Sequence, residues 1–342
     1  MAFRKSSDPR PQILGVSPVA AIPGGEFQIR GKGLAATERP IVRFGDVDAP
    51  IVIGSDSFVI VRVPDGASAG DLTVGQNHQS SVHWSCGIGV QIADSLHPVS
   101  NPVVDRLGNI YTTFSGSPGQ KTPGSIYKID LNFRMKPLVT DLMNATGLAL
   151  DQEGNLYSSS RHDGVVYQIS PSGNLSVYAE GMGVATGIVF DHDHNLYVGD
   201  RSGTVFKISR SRQIYVFATL EPSIAAYHLA FGPDQYLYVT GPTTSSFDSV
   251  LRISPSGHVE RFYRGLGRPQ GMAFDVNANL YVAASLGGRR GVVRFTPDAK
   301  AELFLSGPAI VGLAFSPSKA LILATNNSVY RVDVGIEGRP VP

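Results

Sequence analysis

The stretch Leu148-Ala-Leu-Asp-Gln-Glu-Gly-Asn-Leu-Tyr157 decides how this chain folds, because the chain writes it repeatedly. Variants close at Tyr111 (Asp-Arg-Leu-Gly-Asn-Ile-Tyr, from 105), Tyr197 (Asp-His-Asp-His-Asn-Leu-Tyr, from 191) and Tyr238 (Gly-Pro-Asp-Gln-Tyr-Leu-Tyr, from 232). Another closes at Tyr281 (Asp-Val-Asn-Ala-Asn-Leu-Tyr, from 275). A worn sixth copy, Ser-Pro-Ser-Lys-Ala-Leu-Ile, closes at Ile322, so the closing positions lie 46, 40, 41, 43 and 41 residues apart. Such a period, with strand chemistry inside each copy, is the mark of a radial or stacked repeat.

One copy, Ala145 to Val184, shows the unit. Leu148-Ala149-Leu150 is a short apolar run, as in a strand buried on both faces. Asp151 to Gly154 supplies turn residues, Asn155-Leu156-Tyr157 opens a second strand and Val165 to Ile169 reads as a third. After the turn Ser170-Pro171-Ser172-Gly173, Leu175 to Tyr178 is the fourth and most polar strand. Four antiparallel strands per copy is one propeller blade. No window carries a sustained 3.6-residue apolar pattern, which disfavours a helical solenoid. The last copy has three strands, and an orphan strand, residues 89–93, stands ahead of the first. Their pairing would close the ring and remove an open sheet edge. The reading is therefore an all-β chain, a six-bladed β-propeller over 88–342 with its last blade shared between the two ends of the domain.

Residues 1–10 read as a tail and 11–87 lack the repeat. Strands at Gln12–Val16, Glu26–Gly31, Ile41–Phe44, Ala49–Ile53, Phe58–Val63 and Asp71–Val74, broken by Gly, Pro and Asp, suit a small β-sandwich. The wording Ile13, Val16-Ser17-Pro18, Gly24-Gly25, Ile29-x-Gly31-x-Gly33-Leu34, Val42-x-Phe44-Gly45, Ser57 to Pro64 and Gly70 resembles the IPT/TIG family of immunoglobulin-like domains. That resemblance implies a spacer or interaction module. The phrases Gly147 to Tyr157 and Gly271 to Ala283 in turn resemble NHL repeats and the SMP-30/gluconolactonase family, over about 88–342. The latter likeness implies six blades and a divalent metal, such as Ca²⁺, in the central channel.

In that family the resemblance implies a Glu two positions before a Pro in the first blade, an Asn before Gly in a middle blade and an Asp before Gly in a later one. Here Ser100 precedes Pro102, and Thr146, Thr186, Gln270 and Val311 precede the inner-strand glycines, with Tyr227 at the fourth position. Hydroxyls and one amide replace the carboxylates that Ca²⁺ or Mg²⁺ would draw on. No metal ligand and no cofactor is assigned, and a divalent ion enters only with the alternative reading, a lactonase with a diverged site. The channel-mouth candidates are Ser100, Thr146, Thr186, Tyr227, His228 and Gln270, His228 standing where the other blades carry Gly. His192 and His194 fall in a turn expected on the opposite face, where they read as polar filling.

Turns expected around the mouth carry Lys121, Arg161, His162, Arg201, Arg289 and Arg290, with Arg268 beside them, against Asp163, Asp200 and Asp248: seven basic residues to three acidic. Arginine forks suit carboxylate or phosphate, so Arg161, Arg201, Arg268, Arg289 and Arg290 are rim candidates. The loops Ser115–Gly124 and Gly241–Asp248 are longer than their counterparts and suit a shaped rim.

The net charge is +1, which points to neither nucleic acid nor an acidic membrane surface. The single cysteine, Cys86, reads as a small buried hydrophobe, packed with Trp84 at the domain junction. With no apolar h-region and no run long enough to span a bilayer, a cytoplasmic location is expected unless a leader has been removed. The motifs of hydrolase elbows, P-loops and zincins do not occur. These observations favour non-catalytic binding of a protein, a glycan or a small anionic ligand through the face around the channel.

Overall fold

The computed structural model of the protein describes residues 10–35, 38–67, 71–76, 79–115, 124–245 and 247–340. Among them all regular structure is strand, and none is long enough or helical enough to be a membrane-crossing helix. The tail to residue 9, Gly70, Lys121 and most of the loop 115–124 lie outside the described residues. The chain divides into two compact units, Met1–Val90 with Phe304–Pro308, and Gln91–Leu303 with Ala309–Pro342.

In the first unit, one sheet orders Gln12–Ser17, Glu26–Lys32, Phe58–Arg62 and Ile51–Gly54; a second orders Trp84–Ser85, Asp71–Gln76, Ile41–Phe44 and Val47–Ala49. Strand alternation explains why one set of residues meets inside. Phe27, Ile29, Val59 and Val61 of the first sheet and Val42, Phe44, Leu72 and Val74 of the second are all buried in one core. Phe27 and Phe44 touch across it, ring centroids 5.6 Å apart. Cys86 and Trp84 pack against this same core, and burial pushes the Cys86 thiol up to about 11.

In the second unit the first three copies of the repeat each become a four-stranded antiparallel meander. Ala145–Leu150, Leu156–Ser160, Val165–Ile169 and Leu175–Ala179 form one such sheet; Ala185–Phe190, Leu196–Asp200, Thr204–Ile208 and Ile214–Thr219 form the next. Every residue of Ala145–Leu150 is buried, whereas Leu175–Val177 is exposed, which is why apolar runs mark the first strand and polar letters the fourth. The fourth and fifth copies do not stay separate. Val259–Gly267 is nine residues long and overshoots its own sheet, pairing Leu266 with Leu286 and Gly267 with Ser285. The sheet of the last copy orders Val90–Ala93, Val329–Asp333, Ala320–Thr325 and Ile310–Phe315, so a strand from before the first copy lies beside the last.

The repeated letters have one physical job each. Asp191 Oδ1 accepts from the backbone N–H of Asp193 (2.9 Å) and Asn195 (2.8 Å), and Oδ2 accepts from Asn195 Nδ2 (2.8 Å) and the Tyr197 hydroxyl (3.1 Å). Asp105, Asp151 and Asp275 repeat the arrangement with their own Asn and Tyr. The fourth letter sits at positive φ in every copy: Gly108, Gly154, His194, Gln235, Ala278 and Lys319. Glycine meets that demand without a Cβ penalty; the other four accept it. In the fourth copy Gly232 replaces the leading Asp, and Asp234 takes over the Tyr238 hydroxyl at 2.8 Å.

The tyrosine also joins neighbouring copies. The Tyr157 ring meets Phe190 of the next copy edge-on at 4.9 Å, Tyr238 meets Phe274 at 5.0 Å and Tyr281 meets Phe315 at 5.1 Å. Tyr197 stacks on Phe231 at 5.8 Å. Each pair adds to its buried area the gain of a favourable aromatic geometry. Burial is the first cause that raises these phenols, Tyr281 to about 12, so each hydroxyl stays a donor.

Removing the carboxylate at one hub leaves buried donors unpaired. Asp191→Ala is expected to lower stability by roughly 2–4 kcal/mol and Tyr197→Phe by about 1 kcal/mol, read from urea unfolding midpoints. Equal losses from the two substitutions would show that the carboxylate is not the centre of the network.

Candidate functional site

The innermost strands start where the sheets of the second unit converge, and their backbones approach too closely for side chains. A Cβ on Gly147 would sit 2.3 Å from the Thr186 carbonyl oxygen, on Gly187 2.5 Å from that of Tyr227 and on Gly312 2.4 Å from that of Ser100. Glycine is therefore required at these positions by close approach. Two copies depart from the rule, with Asn101 and His228. The Asn101 amide spans two strands, Nδ2 donating to the Met272 carbonyl (2.9 Å) and Oδ1 accepting from the Leu313 N–H (3.1 Å). Together these residues make a waist.

A cavity of 330 Å³ lies on the side of the strand starts. Thr146, Thr186, His228 and Gln270 line it, as do Arg161, Arg201 and Arg268. Two mouth candidates do not. Ser100 is buried behind the lining, its hydroxyl donating to the Thr146 carbonyl at 2.5 Å. Tyr227 turns into a separate groove, its hydroxyl donating to the Glu221 carbonyl, and burial raises it to about 12. Gly199 and Gly241 make room for the residue there: a Cβ on Gly241 would come within 2.6 Å of the Tyr227 ring and one on Gly199 within 3.0 Å of its Cβ.

The hydroxyls that do line the cavity are largely spent on the fold. Thr146 Oγ1 donates to the Asn144 carbonyl (2.9 Å), and Thr186 Oγ1 donates to that of Gly199 (2.8 Å) while accepting from the Tyr227 N–H (3.2 Å). The Gln270 backbone is pinned on both sides, its N–H to the Ala283 carbonyl (2.8 Å) and its carbonyl to the Thr240 hydroxyl (2.6 Å). Thr186 and Gln270 thereby tie neighbouring copies together, while the Thr146 hydroxyl bonds within its own segment, which leaves other groups to face the cavity.

Those groups are cationic. Burial, and then the charge of Arg201, pull the Arg161 guanidinium below its usual range, which places the two positive charges within mutual influence. Arg268 joins them from a backbone at φ 47°, a left-handed conformation that costs a non-glycine residue energy. Arg289 and Arg290 are not part of the lining. Leu280–Leu286 has seven residues where Leu196–Asp200 has five, so their hairpin carries the turn about 7 Å further along. The rim acids are absorbed locally: Asp200 accepts from the Val184 N–H (2.9 Å), Asp248 from the Thr243 hydroxyl (2.7 Å) and Asp163 from the Tyr167 hydroxyl (2.8 Å). No Asp or Glu lines the cavity among the described residues.

The lining also includes His97 and Asn326, which the repeat reading passed over. Asn326 follows the second strand of its copy just as Arg161 and Arg201 follow theirs, so aligning the copies at that turn would have found it. His97 lies in the lead-in to the first copy, where no repeated letter points to it. His192 and His194 stay on the far side. His194 serves the left-handed turn position, and His192 packs edge-on to Phe231 at 6.0 Å and accepts at Nε2 from Arg339.

A divalent ion, as the lactonase likeness implies, would meet three guanidiniums and two imidazoles in this cavity and no carboxylate. That donor set does not fit Ca²⁺ or Mg²⁺, which require charged oxygens.

No family model matches the chain, and no curated protein matches it. Solved structures do. A candidate gluconolactonase superposes with a TM-score of 0.61 at 16% identity, covering 74% of this chain and 94% of that one. An auxiliary nutrient binding protein from Bacteroides thetaiotaomicron gives 0.56 at 11% identity, covering 95% and 98%. A streptogramin B lyase gives 0.51 at 14%, covering 77% and 86%. All are β-propellers, and at these identities the likeness shows that fold and nothing of the activity.

His228 is buried, its Nδ1 has no hydrogen-bond partner among the described residues, and burial lowers its pKa from 6.5 to about 4. Between those values the unfolded chain takes up a proton that the folded chain refuses. Stability therefore falls as pH drops through this window, by up to roughly 3 kcal/mol from this group. The pH 6.5 to pH 4 stability loss should shrink by about that amount in His228→Gln, measured by urea unfolding at each pH. An unchanged pH slope would show that the imidazole titrates normally.

Proposed function

We propose that this chain is a binding protein that takes up a small anionic ligand at the arginine-lined mouth of a six-bladed propeller, with an immunoglobulin-like module ahead of it. One observation carries the reading: Arg161, Arg201 and Arg268 share one 330 Å³ cavity, and no carboxylate lines it among the described residues. Among the described residues, neither Arg201 nor Arg268 takes part in an ion pair. Like charges brought together at a concave, partly desolvated place lower their mutual repulsion when an anion enters. The volume is at the small end of ligand pockets, which suits a metabolite more than a polymer.

The ligand class follows from the groups. Planar guanidinium forks grip carboxylate or phosphate oxygens in pairs. The neutral His228 and the Gln270 amide offer hydrogen-bonding partners to hydroxyls at the cavity floor, while Val184, Ile224 and Pro242 supply apolar wall. A hydroxylated carboxylate or phosphate, such as a sugar acid or sugar phosphate, meets all three. That a nutrient binding protein is among the similar structures agrees with a binding role. The first unit, on this reading, is an interaction module without a part in ligand capture.

Calorimetric titration of the full chain with gluconate, glucose 6-phosphate and glucose tests this. The anions are expected to bind and glucose to bind at least about tenfold more weakly, each charge-assisted pair contributing on that scale. Arg161→Ala and Arg201→Ala should each weaken the anions about tenfold or more, whereas Arg289→Ala with Arg290→Ala, outside the lining, should leave them unchanged. Equal binding of glucose and the anions would sink the reading, as would insensitivity to Arg161 and Arg201.

A further inference from the structure

Beyond the waist, the ends of the same innermost strands surround a second cavity, of 180 Å³. Its wall is apolar, with Val104, Leu150, Phe190, Phe231, Phe274 and Phe315 contributed by successive copies of the repeat. Among the described lining residues a single side chain is charged, Arg339, which arrives on the segment after the last strand.

That segment is positioned by backbone pairing. The Val276 N–H donates to the Glu337 carbonyl (3.1 Å), Asp275 and Gly338 form an antiparallel bridge, and the Arg339 N–H donates to the Phe274 carbonyl (3.0 Å). Gly338 lies flat on Phe315, where a Cβ would come within 2.1 Å of the Phe315 Cβ. The guanidinium is thus delivered to the cavity edge by main-chain geometry. Burial lowers its pKa, and Asp234 opposes that only through its charge. Asp234 itself accepts from the Tyr238 hydroxyl at 2.8 Å and lies 3.7 Å from Arg252. The polar group that Arg339 touches is His192 Nε2. Arg339 forms no ion pair among the described residues.

A partly desolvated cation at the edge of an apolar chamber, beside an imidazole nitrogen and with no carboxylate paired to it among the described residues, is complementary to a molecule with an apolar body and an anionic head. We propose that this chamber binds a small amphiphilic monocarboxylate, its hydrocarbon among the phenylalanines and its carboxylate on Arg339. The size agrees: an apolar cavity of about 150 Å³ takes up benzene, so a ring or a chain of about six carbons fits here. The site is separate from the mouth cavity and does not depend on that assignment.

The test is calorimetric titration of the full chain with hexanoate, hexan-1-ol and hexylammonium. Hexanoate is expected to bind at least about tenfold more tightly than hexan-1-ol. Arg339→Gln should abolish that preference and leave hexan-1-ol unchanged; Arg339→Glu should transfer it to hexylammonium. Both variants should unfold at the wild-type Tm, because the backbone and not the side chain anchors the segment. The double variant Arg161→Ala with Arg201→Ala should keep full hexanoate affinity. Equal affinity for hexanoate and hexan-1-ol, no binding of either, a preference that survives Arg339→Gln, or hexanoate binding lost with Arg161 and Arg201 would each overturn the proposal.

Discussion

A carboxylate that accepts from its own turn and from a tyrosine six residues on is the interaction on which the second unit depends. Asp105, Asp151, Asp191 and Asp275 each do this. The arrangement settles two problems with one residue. Turn N–H groups that would be orphaned at the edge of the core find a strong acceptor, and the tyrosine hydroxyl, carried into an apolar place, is paired. With its hydroxyl held, the ring is presented to the phenylalanine of the following copy, as Tyr157 is to Phe190. A local turn thereby fixes the packing between sheets.

The second constraint is crowding where the innermost strands begin. Backbone oxygens stand so near their neighbours that only glycine fits at 147, 187, 271 and 312. Asn101 and His228 take the two places where a side chain is admitted, one bridging strands through its amide and the other buried, its Nδ1 without a partner among the described residues. The waist divides the interior into a cationic cavity at the strand starts and an apolar one at the strand ends. Both chambers follow from the direction of the same strands: residues before the glycine face one, residues after it face the other.

The division of labour around the mouth was legible only in part. Arg161, Arg201 and Arg268 could be picked out as turn residues next to inner strands, and they do share a cavity. Arg289 and Arg290 carry the same letters in the same turn, yet two extra residues per strand take them elsewhere. Ser100 and Tyr227 hold the ring positions in the alignment of copies, but a hydroxyl spent on a neighbouring carbonyl and a ring turned outward are matters of side-chain direction. Arg339 could not be placed at all from the repeat, because nothing in a tail's letters says which strand it will pair with.

By itself the sequence determined the strand order, the turns and the buried face, because alternation, left-handed turn positions and the Asp–Asn–Tyr pairing are local and recur with a period. It also determined that the inner-strand starts carry no acidic ligand set. Only the tertiary structure decided which hydroxyls remain for a ligand, which arginines converge, that Val259–Gly267 runs on into the next sheet, and that the tail lays Arg339 against an apolar chamber. Those outcomes depend on which backbone lies within hydrogen-bonding reach of which side chain across dozens of residues, and that distance is written in no single copy of the repeat.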